Sequence, residues 1–498
     1  DKLDELRKLN LSDNKIVAIE GLNSLRKLEF LDLSYNRIIK IEGLNMLEKL
    51  CNLNLFSNEI KEIKGLEWLD ELHKLNLSDN KIVDIQGLDN LKRLKNLNLS
   101  SNEIIKIKGL KNLKRLNTLD LSFNLIREIK GLDQLVELED LNLCKNKIGN
   151  IINLKYNLKL KNLNLSKNEN ILIEGIKELT HLEALDLGYT NRKELGEEIQ
   201  LLTNLKELYL RSNEKISIEG IKNLTNLEVL DWGYTNRKEL GEIKNLDNLK
   251  ELYLYNNNLI SMEGIENLKK LEILDLSNNE IEKVENIKGL NNLKSIDKLK
   301  GLDLSYNKII STEGIEELYN LENLYLRNNH IEEIGNLKKL YNLKVLDLSH
   351  NKITSMNGIE NLYKLKVLYL MNNKIYKLCN LNDLLQLEYL ILDKNKISDI
   401  SKIPVKIKYI DLGRQEIDLK DYKNTENKYS LNTSFIKLRG GEDLDIDYIL
   451  ENGKYDNHTK TIIWENLSTD KLQFEFNNIE DDWMNFSGIV NICLVDKI

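Results

Sequence analysis

Proline, histidine and cysteine are scarce in this chain of 498 residues, which contains one, five and four of them. The cysteines show none of the Cys-x-x-Cys spacing of zinc or redox sites. The histidines are scattered, and only His330 and His350 fall close together, where we interpret them as surface side chains. Neither a glycine-rich phosphate loop nor a distinguished pair of carboxylates occurs. The sequence therefore predicts no metal, no cofactor and no enzymatic activity.

Long apolar runs and a positive charge balance are also missing. No apolar stretch approaches the roughly 20 residues of a membrane-spanning helix. The net charge of -8 argues against a nucleic-acid partner, which requires a basic surface. The first residues already lie inside a repeat, so we expect the missing signal peptide to carry no information on location.

What the chain has in abundance is repetition. Residues 9–22 read LNLSDNKIVAIEGL, and residues 75–88 read LNLSDNKIVDIQGL. Asparagines recur every 22 residues from Asn14 to Asn168, and Thr190 and Thr235 hold two later places in the series. Eighteen places can be counted up to Asn395, and a degenerate one near Gln415 ends the run. A longer step of 28 residues before Asn307 predicts an enlarged coil over residues 286–302.

Each repeat reads LxxLxLxxNxIxxIxGLxxLxxL, which fits neither a steady helical nor a steady strand period. The pattern predicts a coil with one short strand, a sharp turn and an irregular or helical return. One coil cannot bury its own leucines and isoleucines, so stacked coils must bury them jointly. The repeated asparagine is predicted to satisfy backbone groups at the turn, because its amide both donates and accepts hydrogen bonds. The glycine is predicted to permit a tight turn.

This pattern resembles the leucine-rich repeat family, in its 22-residue subclass, over residues 3–415. That subclass includes the regulatory subunit of protein phosphatase 1 and the bacterial internalins. The resemblance implies an α/β solenoid, right-handed, with a parallel sheet on its concave face. About 4.8 Å per coil would separate Cys51 from Cys144 by roughly 20 Å, too far for a disulfide. We expect all four cysteines to be free thiols.

The period breaks after the only proline, Pro404. From residue 416 onward, short alternating runs separated by Gly, Asn and Asp predict an antiparallel β-sandwich. Its expected core is Trp464, Phe474, Phe476 and Phe486. The segments NGKYD, TKTIIW and NFSGIV resemble the immunoglobulin-like domain that follows the repeats in internalins. The residues that carry this match are Gly453, Tyr455, Asp456, Thr461, Trp464, Phe486, Ser487 and Gly488. We therefore predict two domains, residues 1–415 and 416–498.

The residue between the last two leucines of LxxLxL should face solvent on the concave side. It is Asn or Asp through the first half of the chain, and from Asp186 it is a mixture of Asp and Tyr that ends with Ile391. Exposed aromatics among charges are typical of binding hot spots. An alternative is that Tyr merely suits strands and that the alternation came from duplication of GYTNRKELGE, found at Gly188 and Gly233. The predicted partner-binding residues are Tyr209, Arg211, Asp231, Tyr253, Tyr255, Asp275, Tyr325, Arg327, Tyr369 and Met371.

Two functions remain open at this point. The first is a bacterial surface or secreted adhesin, a monomer that grips a protein such as a host cell-surface receptor. The second is an intracellular scaffold resembling the phosphatase-regulating repeat proteins, which as a family end in a repeat cap instead of a β-sandwich. Four NLS sequons, at Asn10, Asn76, Asn98 and Asn164, would place glycans on the predicted face in a eukaryotic secretory pathway, which favours a bacterial origin.

Overall fold

The computed structural model describes residues 3–495 except 218, 242, 244, 285–297, 336, 405, 423–426, 443 and 481–483. The chain forms two compact units. The first comprises Asp1–Asn236 and Glu242–Leu252, and the second comprises Arg237–Gly241 and Tyr253–Ile498. The predicted enlarged coil over residues 286–302 lies almost wholly outside the described residues.

The repeats fold into a solenoid whose coils each contribute one three-residue strand to a parallel sheet. In the first unit these strands are β1 (Lys8–Asn10), β2 (Phe30–Asp32), β3 (Asn52–Asn54), β4 (Lys74–Asn76), β5 (Asn96–Asn98), β6 (Thr118–Asp120), β7 (Asp140–Asn142), β8 (Asn162–Asn164), β9 (Ala184–Asp186), β10 (Glu207–Tyr209) and β11 (Val229–Asp231). The boundary between the units falls within β12 (Glu251–Tyr253). In the second unit follow β13 (Ile273–Asp275), β14 (Gly301–Asp303), β15 (Asn323–Tyr325), β16 (Val345–Asp347), β17 (Val367–Tyr369) and β18 (Tyr389–Ile391).

Neighbouring strands pair in register, so that equivalent residues of successive coils lie side by side. Leu9 pairs with Leu31, and Leu302 pairs with Leu324. The central leucine of each strand points inward, and from Leu31 onward it is at most 2% exposed. The joint burial predicted from the repeat is therefore confirmed in both units.

The return segments are turns and 3₁₀ helices, and the described residues contain no α-helix. The LxxLxxL spacing explains this, because side chains three residues apart lie on one face of a 3₁₀ turn. The N–H of Leu25 donates to the carbonyl of Leu22, and that of Leu28 donates to Leu25, each at 3.0 Å. The 3₁₀ helices are Ile152–Tyr156, Ile176–Glu178, Glu197–Leu201, Ile221–Asn223, Ile265–Asn267, Ile315–Glu317, Leu337–Lys339 and Arg439–Gly441.

The repeated asparagines form the predicted ladder of side-chain amides. Asn102 Nδ2 lies 3.0 Å from the carbonyl of Leu77 in the preceding coil and 3.1 Å from that of Leu99 in its own coil. Its Oδ1 accepts the N–H of Ile82 at 3.0 Å. One side chain thus satisfies donors and acceptors of two coils, and the pattern repeats along each unit.

Where the ladder position is not asparagine, other side chains make the hydrogen bonds that the amide would have made. Thr190 has no amide, and its hydroxyl donates to Asn213 Oδ1 at 2.9 Å. Asn213 Nδ2 then donates to the carbonyl of Leu187, at 2.8 Å, in the coil of Thr190. At the end of the run, Gln415 takes the place of the repeated asparagine and makes the same hydrogen bonds. Its Nε2 donates to Leu392 O at 3.0 Å, and its Oε1 accepts the N–H of Ile397 at 2.9 Å.

The repeat glycine permits close contact between coils as well as a turn. Gly65 has φ +83°, and a Cβ at this position would lie 1.9 Å from the carbonyl oxygen of Ile41 in the preceding coil. Any side chain here would both strain the backbone and push the coils apart.

After the last coil the chain continues as β-structure. The strands are β19 (Tyr409–Tyr422), β20 (Lys428–Asn432), β21 (Ile446–Ile449), β22 (Lys454–Asp456), β23 (Thr461–Glu465), β24 (Lys471–Glu480) and β25 (Met484–Val495). Strand β19 pairs in parallel with β18 and with β25, and β24 is antiparallel to both β25 and β21. Strands β20, β23 and β22 form a separate antiparallel sheet in that order. Because β19 runs through residues 415 and 416, the last coil and the C-terminal strands belong to the same unit.

The predicted aromatic core of these strands is confirmed, since Trp464, Phe474, Phe476 and Phe486 are at most 1% exposed. The Trp464 indole donates to the carbonyl of Leu450 at 2.9 Å. A Cβ on Gly453 would lie 2.5 Å from Trp464 Nε1, so the motif glycine is required for the indole to pack.

We expect Asn102→Ala to reduce the free energy of unfolding of the first unit by about 2–3 kcal/mol, because buried backbone groups lose their partner. Hydrogen exchange measured by mass spectrometry should show faster exchange in peptides containing Ile82. Asn98→Ala is the matched control, because Asn98 lies on the surface of the same coil. Equal protection in both variants would contradict the ladder.

We expect Trp464→Ala to cost about 3–5 kcal/mol of stability in the C-terminal strands, as truncation of a buried aromatic does. Urea unfolding followed by hydrogen exchange in residues 444–480 is the measurement. An unchanged midpoint would mean that Trp464 does not hold this core together.

Candidate functional site

The solvent-facing side of the parallel strands, here called the strand face, presents three columns of side chains. The first column is the first residue of each strand, and the second column is its last residue. The third column is the residue two positions after the second. The candidate residues of the sequence analysis belong to the second and third columns.

Aspartate and asparagine in the second column have a structural role that the sequence analysis missed. Their Oδ1 accepts the N–H of the third-column residue of the same coil, at 2.8–3.2 Å, in an Asx turn. The pairs are Asn10–Ser12, Asp32–Ser34, Asn54–Phe56, Asn76–Ser78, Asn98–Ser100, Asp120–Ser122, Asn142–Cys144, Asn164–Ser166, Asp186–Gly188, Asp231–Gly233, Asp275–Ser277, Asp303–Ser305, Asp347–Ser349 and Asp411–Gly413.

Five coils give up this Asx turn, and in one of them the second-column residue is Ile391. The other four have tyrosine in the second column, and a phenol oxygen at the far end of a ring cannot reach the backbone two residues ahead. The third column changes with it, from the usual small residue to a large one. The pairs are Tyr209–Arg211, Tyr253–Tyr255, Tyr325–Arg327 and Tyr369–Met371. Because the Asx turn stabilises every Asp or Asn coil, the tyrosines are not explained by folding of the strand.

Three candidate residues, Tyr209, Arg211 and Asp231, lie together in the first unit. Arg211 bridges two carboxylates, with Nη2 3.1 Å from Asp186 Oδ2 and Nη1 3.1 Å from Asp231 Oδ2. Asp231 is only 7% exposed, so it is held within the protein instead of being presented to a partner. Burial raises the pKa of Asp186, and its contact with Arg211 opposes that shift.

Tyr209 is also partly engaged. Its hydroxyl lies 2.9 Å from Glu207 Oε2, and the Arg211 guanidinium carbon lies 5.7 Å from its ring centroid. Burial, followed by the hydrogen bond to Glu207, raises the pKa of Tyr209 to about 12. Strands β6 to β10 bound a groove of about 370 Å³ that this pair of side chains closes at one end.

The other seven candidates lie in the second unit. Asp275 Oδ1 accepts hydrogen bonds from both the N–H of Ser277, at 2.9 Å, and its hydroxyl, at 2.6 Å, so this oxygen is occupied within its own coil. The remaining six project as half-buried or exposed side chains, and Tyr369 is 36% exposed. Burial, together with the nearby carboxylates of Asp303 and Asp347, raises the pKa of Tyr325. The phenol therefore stays protonated and can donate a hydrogen bond at neutral pH.

The sequence analysis did not examine the first column, which becomes largely apolar or aromatic in the second unit, with Gly301 and Asn323 as exceptions. Its residues there include Ile273, Val345, Val367, Tyr389 and Tyr409. The rings of Tyr389 and Tyr409 lie 6.5 Å apart and are 44% and 41% exposed. In the first unit most members of this column are polar. The first-column residue is the one that directly precedes each LxL in the sequence. Examining that position would have identified this surface.

No group of three or more histidine, cysteine or acidic side chains in the described residues is arranged to hold a metal ion. All four cysteines are free, as predicted from their spacing. In the part of the chain that the structure describes, no helix is both long and apolar enough to cross a bilayer.

Comparison with protein families identifies the repeats. Residues 132–263 match the model of a leucine-rich repeat region, and residues 320–375 match that of a leucine-rich repeat. The model for two copies of the repeat matches residues 4–46, 70–112, 92–134, 247–289 and 297–339. A comparison with curated proteins finds no match.

Among solved structures, a leucine-rich repeat protein of Leptospira interrogans is 28% identical, with a TM-score of 0.59 over 80% of this chain and 92% of its own. TLR13 in its complex with the RNA ssRNA13 is 27% identical, with a TM-score of 0.61 over 85% of this chain and 68% of its own. The functional domain of InlJ from Listeria monocytogenes is similar in fold, at 20% identity and a TM-score of 0.53, over 99% of this chain and 92% of its own.

The double substitution Tyr369→Asn with Met371→Ser would restore the Asx turn of the other coils. We expect it to raise the free energy of unfolding of the second unit by about 0.5–1 kcal/mol, the usual net contribution of one hydrogen bond. Urea unfolding measures this change. The reverse swap in the adjacent coil, Asp347→Tyr with Ser349→Met, should lower stability. A loss of more than about 1 kcal/mol in the first variant would place Tyr369 in the folding core.

Proposed function

Because this chain is a leucine-rich repeat protein, we propose that it binds a protein partner on the strand face of its second unit and catalyses no reaction. The observation that carries this proposal is the loss of the Asx turn in the tyrosine coils. A stabilising hydrogen bond has been exchanged for a large ring facing solvent, which is how binding residues differ from residues selected for stability.

The side chains of this surface have the composition of a protein interface. Tyrosine, arginine and methionine are enriched in interface cores. Each side chain stands on a short strand within a rigid sheet, so binding orders few rotatable bonds. The first column adds Val367, Tyr389 and Tyr409 next to Tyr369, which enlarges the apolar centre that a partner would cover.

Within this function we favour a bacterial internalin-like adhesin, on the cell surface or secreted, that grips a host receptor as a monomer. Two features support it: the likeness in fold to InlJ, and β-strands in place of a repeat cap after the last coil. We assign these strands to an immunoglobulin-like domain. They carry the matched Gly453 and Gly488, where a Cβ would lie 2.5 Å from Trp464 Nε1 and 2.4 Å from the carbonyl oxygen of Gln415, respectively. The intracellular scaffold is the alternative, and it would lack such a domain.

A nucleic-acid partner is the third possibility, because TLR13 was solved with an RNA. The net charge of -8 opposes it. Carboxylates also occur in the second column of the second unit, where Asp275, Asp303 and Asp347 lie between the tyrosines. Such a surface repels a phosphate backbone.

We expect Tyr253→Ala or Tyr325→Ala to weaken partner binding by about 2 kcal/mol, as loss of a hot-spot residue does. The partner would be isolated by pull-down from candidate surface proteins, and each variant would then be titrated by calorimetry. The solenoid should remain folded, because both side chains face solvent.

Asn54→Ala and Asn98→Ala are the controls in the first unit. They remove an Asx turn without touching the tyrosine surface, so affinity should hardly change. Equal affinity of the tyrosine variants and the wild type, or a loss confined to the asparagine variants, would place the binding site elsewhere.

A further inference from the structure

Two arginines occupy the same place in their coils but have different surroundings. Arg211 and Arg327 both lie in the third column, two residues after a tyrosine and between two aspartate coils. Arg211 is bonded to both neighbouring aspartates. In the described part of the chain no carboxylate oxygen lies within 4.0 Å of the Arg327 guanidinium, which therefore has no counterion among those residues.

The residue beside each arginine explains the difference. A Cβ on Gly188 would lie 2.9 Å from Arg211 Cγ and 3.1 Å from Asp186 Oδ1, so a glycine is needed for Arg211 to lie flat against the sheet. The equivalent residue beside Arg327 is Ser305, which is buried and whose side chain is hydrogen-bonded to the Asp303 carboxylate. The serine occupies the space and the carboxylate that Arg327 would need.

Arg327 is consequently held in an incompletely satisfied position. Its Nη2 lies 3.3 Å from His350 Nε2, while its Nε is shielded from solvent and has no hydrogen-bond partner. The hydroxyl of the adjacent Ser349, a residue only 1% exposed, has none either. A buried donor without an acceptor is destabilising, so a conformation in which Arg327 meets an anion is favoured when one is supplied.

We propose that Arg327 is the anchor for a carboxylate group of the partner, with Tyr325 and Tyr369 packing around the bound side chain or chain terminus. This inference rests on the proposed function and names the chemistry of the partner. A guanidinium pairs with a planar carboxylate through two parallel hydrogen bonds, which gives both strength and orientation. Arg211 is the internal counterpart, in which the protein's own aspartates already fill that role.

His350 is the natural reporter of this event. The charged groups that act on it are Arg327 from the preceding coil, Asp347 of its own coil, and Asp393 and Lys394 from two coils further on. Burial, and then the charge of Arg327, lowers the pKa of His350. Withdrawal of Arg327 toward a carboxylate frees the imidazole Nε2 and raises that pKa, so its NMR signal must respond to binding.

The test needs no partner protein. N-acetylglutamate methylamide and N-acetylglycine, which present a side-chain and a terminal carboxylate, are titrated into the ¹³C-histidine-labelled protein at constant ionic strength. The uncharged N-acetylglutamine methylamide is the blank. His350→Gln assigns the His350 signal among the five histidines. We expect a saturable shift of that signal with at least one carboxylate probe and none with the blank.

Arg327→Gln should weaken the response about tenfold or more, since a charged hydrogen bond is lost, while Arg211→Gln should leave it unchanged. Ser305→Gly with Ser349→Gly keeps the arginine but recreates the surroundings of Arg211, so Arg327 can fall onto Asp303 and Asp347. This variant should also lose the response. An unchanged response in Arg327→Gln, or no saturable shift in the wild type, would overturn the proposal.

Once a partner has been identified, its affinity for the variants distinguishes the protein-binding function from the carboxylate anchor. If Tyr325→Ala weakens partner binding but Arg327→Gln does not, the carboxylate anchor is wrong and the protein-binding function stands. If neither variant changes the affinity, both are wrong. A parallel loss in the two variants supports both.

Discussion

The satisfaction of backbone groups between coils is the constraint on which the rest of this structure depends. A three-residue strand followed by a turn leaves carbonyls and amides that a neighbouring strand cannot pair. One amide side chain per coil takes them up, and Asn102 shows the full set of bonds within the first unit. Because that side chain is buried and its partners are backbone atoms, the adjoining surface positions are free to vary. The strand face can therefore change from amides to aromatics without altering the coil.

The coils could be predicted from sequence because their determinants are local and repeated. The ladder, the burial of the leucines and the end of the run at Gln415 all follow from spacing. Whether the return was helical could not be decided from the apolar pattern, since 3₁₀ and α turns both bury residues three apart. The extension of β19 across residue 415 depends on its pairing with β25, and such long-range pairing leaves no local signal.

The candidate site could be predicted only in part, because some of its contacts leave no signal in the repeat pattern. The tyrosines stood out by residue type, but the bonds of Asp231 and Asp275 involve the local backbone and Arg211, which the pattern does not show. Each carboxylate is engaged in an Asx turn through Oδ1, so the alternation of ring and charge is largely an alternation of ring and Asx turn. The unequal roles of Arg211 and Arg327 follow from glycine beside the first (Gly188) and serine beside the second (Ser305), and only geometry reveals them. The apolar first column was visible in the sequence at an unexamined position.

The pairing of β19 with β25 has a consequence for a protein whose sheet is built one strand at a time. A stack of identical coils ends in an open row of backbone donors and acceptors, a template on which another copy could add its own strands. Here the sheet continues through β25 and β24 to β21, which has only four residues, carries Asp447 and is irregular between Ile446 and Tyr448. Short, charged and irregular strands are poor templates. The C-terminal strands thus end the sheet on an edge that disfavours the addition of strands from another copy.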